Sequence, residues 1–285
     1  MTDVNLDYLR EWRGRTESRA DEVTAAPLAA LSATLDRDDP FPQAGDPVPP
    51  LWHWLYFLPM PRESELGHDG HAKRGGFLPP VPLPRRMFAG DRVQFHRPLR
   101  VGEKISRRSR IVDVTYKQGR SGALVFVLVR HEISDGQGVA LAEEHDIVYR
   151  ESPKPTDPQA AAQSPPADAA WMREIRPDPP LLFRYSALTF NGHRIHYDLR
   201  YSTEVEGYPG LVVHGPLIAT LLLDLLRRNV ADANVRSLSF RAVRPLFDTG
   251  AFAVCGKQEP GGKRAHLWAT DSDGWLAMDA TVELA

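Results

Sequence analysis

The chain has 285 residues, 42% hydrophobic and 25% charged, which is ordinary globular usage and enough for one large domain or two of about 130 residues, each with its own core. Lys and Arg total 35 against 37 for Asp and Glu, a formal charge of -2 that gives no electrostatic reason to expect nucleic acid or an anionic membrane as partner. A single cysteine, Cys255, excludes an intrachain disulfide framework and a cysteine-based zinc site, and fits a reducing, cytoplasmic compartment.

The N-terminal run to Glu22 is charged throughout and offers no apolar segment suited to a secretory signal or a spanning helix. Ala25 to Leu35 is the first helix candidate, assigned here as the enclosed helix of the first half. Trp52 to Phe57 is an aromatic cluster, read as core, interface or the lining of an acyl channel. Residues 68–76, with His71, Lys73, Arg74 and glycines, predict a mobile basic loop that either covers phosphates or has no role. Phe95-His96-Arg97-Pro98-Leu99 predicts a strand ending in a kink before Gly102, because proline cannot donate to a ladder. Arg107-Arg108-Ser109-Arg110, alternating along a strand, is read as a solvated face, with reception of a phosphorylated ligand as the alternative. Ala123 to His131 and Val139 to Tyr149 are strand-like around the Asp135-Gly136 turn, a long antiparallel hairpin.

Glu151 to Asp168, rich in Pro, Ala, Ser and Gln, reads as a linker between halves 1–150 and 169–285. Beyond it, Arg184 to Phe190 has the composition of a strand. Pro216 sits at a suitable first helical position and Leu217 to Leu226 is apolar on nearly every side, so this helix must be enclosed by a curved antiparallel sheet. Phe240, Arg244-Pro245-Leu246, Gly250 and Asp273-Gly274 then repeat the order seen in the first half. The Arg-Pro-Leu units lie 147 residues apart and the Asp-Gly units 138 apart, the mark of an internal duplication.

Chemistry-bearing residues crowd between these elements. In Asn191-Gly192-His193-Arg194-Ile195-His196, a short helical turn near Arg194 would bring positions 191 and 196 together. His196 can exchange a proton near neutral pH, whereas Asn191 can only donate and accept hydrogen bonds. Downstream, Tyr208 to Pro216 is a glycine-rich approach to a helix start, where free N–H groups and partial positive charge suit a developing oxyanion. Pro216 has no N–H, so the donor is assigned to the amide of Gly215, whose missing Cβ permits close approach. His193 and His196 lack further ligands at metal-site spacing, so no metal is expected. His214 is read as packing or capping the helix start, or as a second proton carrier.

The run Tyr185 to Asp198, followed by Glu206 to Leu217 and preceded in the first half by Phe95 to Gly102, resembles the MaoC-like, hydratase 2 family. The nearest branch holds type 2 3-hydroxyacyl-thioester dehydratases and mesaconyl- or itaconyl-CoA hydratases. The resemblance implies an α+β double hotdog and a hydratase or dehydratase of 2-enoyl or 3-hydroxyacyl thioesters. It implies no cofactor, and as partner an acyl-CoA or acyl-carrier-protein thioester; a homodimer is expected through free sheet edges. The wider family's motif carries an aspartate where this chain has Asn191, and an amide cannot act as a base. His196 is therefore expected to transfer the proton, with Asn191 positioning water and Gly215 holding the thioester oxygen. His193, Arg194, Tyr208, Val213 and His214 are expected at the substrate, with Arg194, Arg184, Arg200 or the 68–76 loop as cation for a small dicarboxylyl group. A fatty-acid-type dehydratase and a thioesterase are the alternatives. The first half, lacking a counterpart of the motif, is expected to shape the acyl pocket.

Overall fold

The computed structural model describes residues 4–119, 122–152 and 161–285. The first half runs α1 (Leu6–Arg10), β1 (Thr16–Glu22), α2 (Ala25–Thr34), a single 3-10 turn at Trp52–Leu55, β2 (Arg85–Phe95), β3 (Lys104–Gly119), β4 (Gly122–Asp135) and β5 (Gly138–Arg150). The second runs β6 (Trp171–Ile175), α3 (Pro179–Leu188), a 3-10 turn at Arg194–His196, a π turn at Tyr201–Val205, α4 (Gly215–Asn229), β7 (Val235–Ala242), β8 (Phe252–Gln258), β9 (Arg264–Thr270) and β10 (Leu276–Leu284). All ten strands join one antiparallel sheet in the order β1-β3-β4-β5-β2-β7-β10-β9-β8-β6, the double hotdog. Residues 153–160 of the expected linker lie outside the described residues; 161–168 carry no helix or strand.

The seam between halves is a local two-fold. In the β2–β7 pairing Arg92 faces Ser239, and on either side Asp91 faces Phe240 and Val93 faces Leu238. Arg92 and Ser239 are 147 positions apart, the offset of the two Arg-Pro-Leu units. Both kinks are built alike. The amides of His96 and Arg97 share the carbonyl of Ala140 at 2.9 and 3.2 Å, and those of Val243 and Arg244 share the carbonyl of Ala277 at 2.8 and 3.1 Å. Arg97 then pairs with Asp135 and Arg244 with Asp271. The structural counterpart of Asp135 is thus Asp271 rather than Asp273, because the second turn is longer than the first.

The same symmetry corrects two expectations about helices. The amides of Val48 and Val213 each donate to a kink carbonyl, Leu99 and Leu246, at 2.8 Å. Val213 leads directly into α4, whose ten residues Leu217 to Leu226 are all buried. Val48 leads only into the 3-10 turn at Trp52–Leu55. Residues 25–34 are helical as expected, but α2 is the counterpart of α3, each following an edge strand, and the two pack on one another. Its buried side chains, Leu28, Leu31 and Ser32, form one stripe, which a helix on the rim needs and an enclosed one does not. Among the described residues the first half therefore has no enclosed helix of its own.

Arg184 to Phe190, expected as a strand, is instead the end of α3. The decisive signals precede it: the Asp178 carboxylate accepts from the Leu181 amide at 2.9 Å, and Pro179 and Pro180 set the first turn. Within α4 the one buried acid, Asp224, accepts from Arg37 of the first half, Arg173 and Arg228 at 2.7–2.9 Å, which ties the helix to both halves. Among the described residues no helix is long and apolar enough to cross a membrane.

Candidate active site

Helix α3 ends with Phe190 in the left-handed region (φ 49°), and the amide of Asn191 returns to the carbonyl of Ser186 at 2.8 Å. This reversal delivers residues 191–196 to the mouth of a cavity of about 1350 Å³ lined by both halves. The Asn191 carbonyl oxygen accepts the His193 amide at 3.0 Å, which fixes the side chain and leaves its NH₂ group to donate. The 3-10 turn at Arg194–His196 then sets His196 under the cavity, 7% exposed.

His196 Nδ1 lies 2.7 Å from the carbonyl of Val212. A carbonyl only accepts, so Nδ1 carries the hydrogen and Nε2 is a bare acceptor. Burial pushes the imidazole down to about 4, with the Val212 bond opposing. His214, fully buried at the N-cap of α4, stacks on His196 with ring centroids 3.7 Å apart and 18° between planes. Its Nε2 meets the Ser186 hydroxyl at 2.7 Å. Burial holds His214 well below its ordinary range. His214 does not line the cavity; it backs His196 and fixes its ring plane.

Gly215 opens α4 at the cavity wall, and a Cβ there would come 2.8 Å from Cδ1 of Phe88 in the first half. Phe88 in turn meets the His145 ring, tilted at 58°, with centroids 4.6 Å apart. Tyr208 and Val213 line the cavity, Tyr208 beneath the Arg85 guanidinium at 4.7 Å. Arg194 does not line it. Its guanidinium is bound to Asp198 at 2.7 Å, lies over Tyr201 at 4.2 Å and donates to the His68 carbonyl at 3.0 Å. Arg200 pairs with Glu204, and Arg184 is not in the wall either.

The 68–76 segment is docked rather than mobile. The Arg194 amide donates to the Asp69 carbonyl at 2.9 Å, and Gly70, at φ 85°, packs so closely on the Gly192 carbonyl that no Cβ fits. This contact brings Asp69 and His71 to His193, with the two imidazoles 4.2 Å apart. Burial, then the neighbouring His71, drives His193 down to about 2. Burial alone would raise Asp69, but the bond and charge of His71 outweigh it and hold the carboxylate ionised. Asp69, His71 and His193 bring ligand atoms within 4.8 Å of one another, a set that could hold a cation, although the Arg86 guanidinium acts on both histidines and opposes one.

Sequence reading named His71 only as part of a mobile 68–76 loop and missed that it and Asp69 meet His193, over a hundred residues along the chain; it also missed a second polar cluster on the first-half sheet. There the Glu143 carboxylate accepts from His53 at 3.0 Å and Trp54 at 3.2 Å, and His145 Nδ1 lies 3.2 Å from Asp91 and 3.5 Å from Glu143. Burial alone would lower His145, but the two carboxylates raise it to about 9. The legible signal was the charged run Glu143-Glu144-His145-Asp146 inside an otherwise apolar strand.

Comparison with known proteins gives this geometry a context. The sequence profile of the hydroxyacyl-thioester dehydratase type 2 family matches residues 51–248. The chain is 50% identical, over 96% of both chains, to a mesaconyl-C(4)-CoA hydratase of Chloroflexus aurantiacus. It is 27% identical, over 89% of this chain and 93% of the other, to the mitochondrial hydroxyacyl-thioester dehydratase type 2 of Schizosaccharomyces pombe. The crystal structure of HtdX from Mycobacterium tuberculosis shares the fold, with a TM-score of 0.65, 19% identity, and coverage of 94% of this chain and 98% of the other.

Proposed function

Because the chain belongs to the hydroxyacyl-thioester dehydratase type 2 family and is a hydro-lyase of acyl thioesters, we propose that it hydrates a small branched dicarboxylyl-CoA of the mesaconyl-C4 type. The observation that carries this reading is half identity along nearly the whole length of the Chloroflexus aurantiacus hydratase. Itaconyl-CoA is the neighbouring substrate to compare, and a fatty 3-hydroxyacyl thioester is the second reading, supported by the more distant yeast relative. The buried, solitary Cys255 supports a cytoplasmic setting.

The chemistry follows from three groups at the cavity, Asn191, His196 and the Gly215 amide. The NH₂ of Asn191 orients a water whose proton passes to the bare Nε2 of His196 as the water oxygen bonds to the β-carbon. The alkene electron pair moves toward the thioester carbonyl, whose oxygen gains negative charge. The Gly215 amide, at the positive end of the fifteen-residue α4, donates to that oxygen. The imidazolium then returns its proton to the α-carbon. Held near 4, protonated His196 is a strong acid, which favours this return. Arg194, committed to Asp198, is not the carboxylate cation in this scheme.

The test is a panel of mesaconyl-C4-CoA, itaconyl-CoA, crotonyl-CoA and a long enoyl-CoA, followed by loss of enoyl absorbance and by free thiol release. We expect mesaconyl-C4-CoA to exceed crotonyl-CoA in kcat/KM by about tenfold or more, with no thiol released. Preference for the long enoyl chain would move the assignment to the fatty-acid reading, and thiol release to a thioesterase.

A further inference from the structure

The duplication provides an internal control for every position on the sheet. With Arg92 matched to Ser239 at the seam, Asp91 corresponds to Leu238, and the ladders carry the match outward from there. Glu143 and His145, opposite Val93 and Asp91, take the places of Ala280 and Val282, opposite Phe240 and Leu238. His131, opposite Glu143, takes that of Leu267, opposite Ala280. Arg107 and Ser109 take those of Val254 and Gly256. In the second half these positions are apolar or glycine and buried, and the face packs on α4. In the first half the same six places hold four charged or titratable side chains, an arginine and a serine.

Folding cannot be the reason for this band, because the duplicate folds without it and buried charges are unfavourable unless paired. The band is also where the first half lacks an enclosed helix, the 3-10 turn at Trp52–Leu55 standing in for fifteen residues of α4. The cavity fills that place and is lined by Arg107, His131, Glu143 and His145. It continues past Phe88, which touches the position of Gly215 on one side and meets the His145 ring on the other. An acyl group whose thioester oxygen sits at the Gly215 amide thus runs over Phe88 onto the band.

The acids of the band are matched within it. Glu143 is met by His53, Trp54 and His145, and Asp91 by His145 at 3.2 Å. Arg107 has no comparable partner. Its nearest carboxylate oxygen, on Glu17, is 3.9 Å away, and its Nε is buried without a hydrogen bond. A half-buried guanidinium, its side chain 21% exposed and its Nε unpartnered, on the wall of a cavity is arranged for a planar anion.

We infer that this band is the recognition pocket for an anionic substituent on the acyl group, with Arg107 as the carboxylate-binding cation. This inference rests on the proposed dicarboxylyl substrate and assigns the residues that select it.

The experiment replaces band residues by those the duplicate already carries at the same places. Arg107→Val is one variant; Asp91→Leu with Glu143→Ala and His145→Val is the second, removing the ion cluster as a unit so that no charge is stranded. Each is assayed with mesaconyl-C4-CoA and crotonyl-CoA, alike thioesters with and without a carboxylate. In Arg107→Val the ratio of kcat/KM for the two is expected to fall about 30-fold or more, mainly through KM for the carboxylated substrate, and the triple variant is expected to lower the same ratio. An unchanged ratio in both variants, or equal loss on both substrates, overturns the inference while leaving the proposed substrate standing. Wild-type protein that prefers crotonyl-CoA to every carboxylated enoyl-CoA overturns both.

Discussion

At the scale of single residues, the replacement of an aspartate by Asn191 is the feature that most alters the chemistry. With no carboxylate beside it, His196 is a buried neutral imidazole depressed to about 4. In the proposed mechanism the active form is the neutral one, so activity is expected to be lost only as pH falls through that value. The acid limb of kcat/KM is therefore expected well below pH 6, and a limb at the free-histidine value of about 6.5 would contradict the assigned base. His196→Ala is expected to lower kcat by about 10³. Asn191→Asp keeps an oxygen for the His193 amide but places a negative charge near His196, so its acid limb should move toward neutrality. These residues were legible in the sequence because the motif is contiguous. Asp69 and His71 were not, since nothing in a linear reading links residue 70 to residue 192.

At the scale of elements, the 67–72 loop holds the 191–196 turn through a contact between backbones. Gly70 is left-handed and pressed on the Gly192 carbonyl, so Gly70→Ala combines an unfavourable φ with a clash against backbone that cannot yield. We expect a loss of about 2 kcal/mol in thermal or urea unfolding, together with a fall in kcat/KM as the 191–196 turn loses its support. Full activity in that variant would show that the loop only covers the site. The hairpins and α4 were readable from periodicity and turn chemistry, whereas α3 was misread from its end, where Tyr185, Thr189 and Phe190 favour strands. Its cap at Asp178 and its two prolines were the stronger signals, lying just before the stretch that was weighed.

At the scale of the whole molecule, the buried histidines make stability depend on pH in a calculable direction. His196, His193 and His131 have folded values of about 4, 2 and 3, so between pH 6.5 and those values the unfolded chain binds protons that the native chain refuses. Stability must fall as pH falls through this window, by about 3 kcal/mol from His196 alone on reaching pH 4. His145 acts oppositely: raised to about 9, it contributes stability that is complete below pH 6.5 and lost as pH rises through 9. The melting temperature is thus expected to peak near neutrality and to drop on both sides; a flat profile from pH 7 down to 4.5 would contradict the burial of these rings.

The sequence by itself determined the double hotdog, its duplication and the contiguous 191–196 motif, because periodicity, turn residues and contiguous spacing are local properties. Only the tertiary structure decided which helix is enclosed, that Arg194 is committed to Asp198, and that the first half turns a charged band toward the cavity. Those outcomes depend on the pairing of strands and loops far apart in the chain, where a register read across the two-fold seam, rather than composition, sets which side chains share a face.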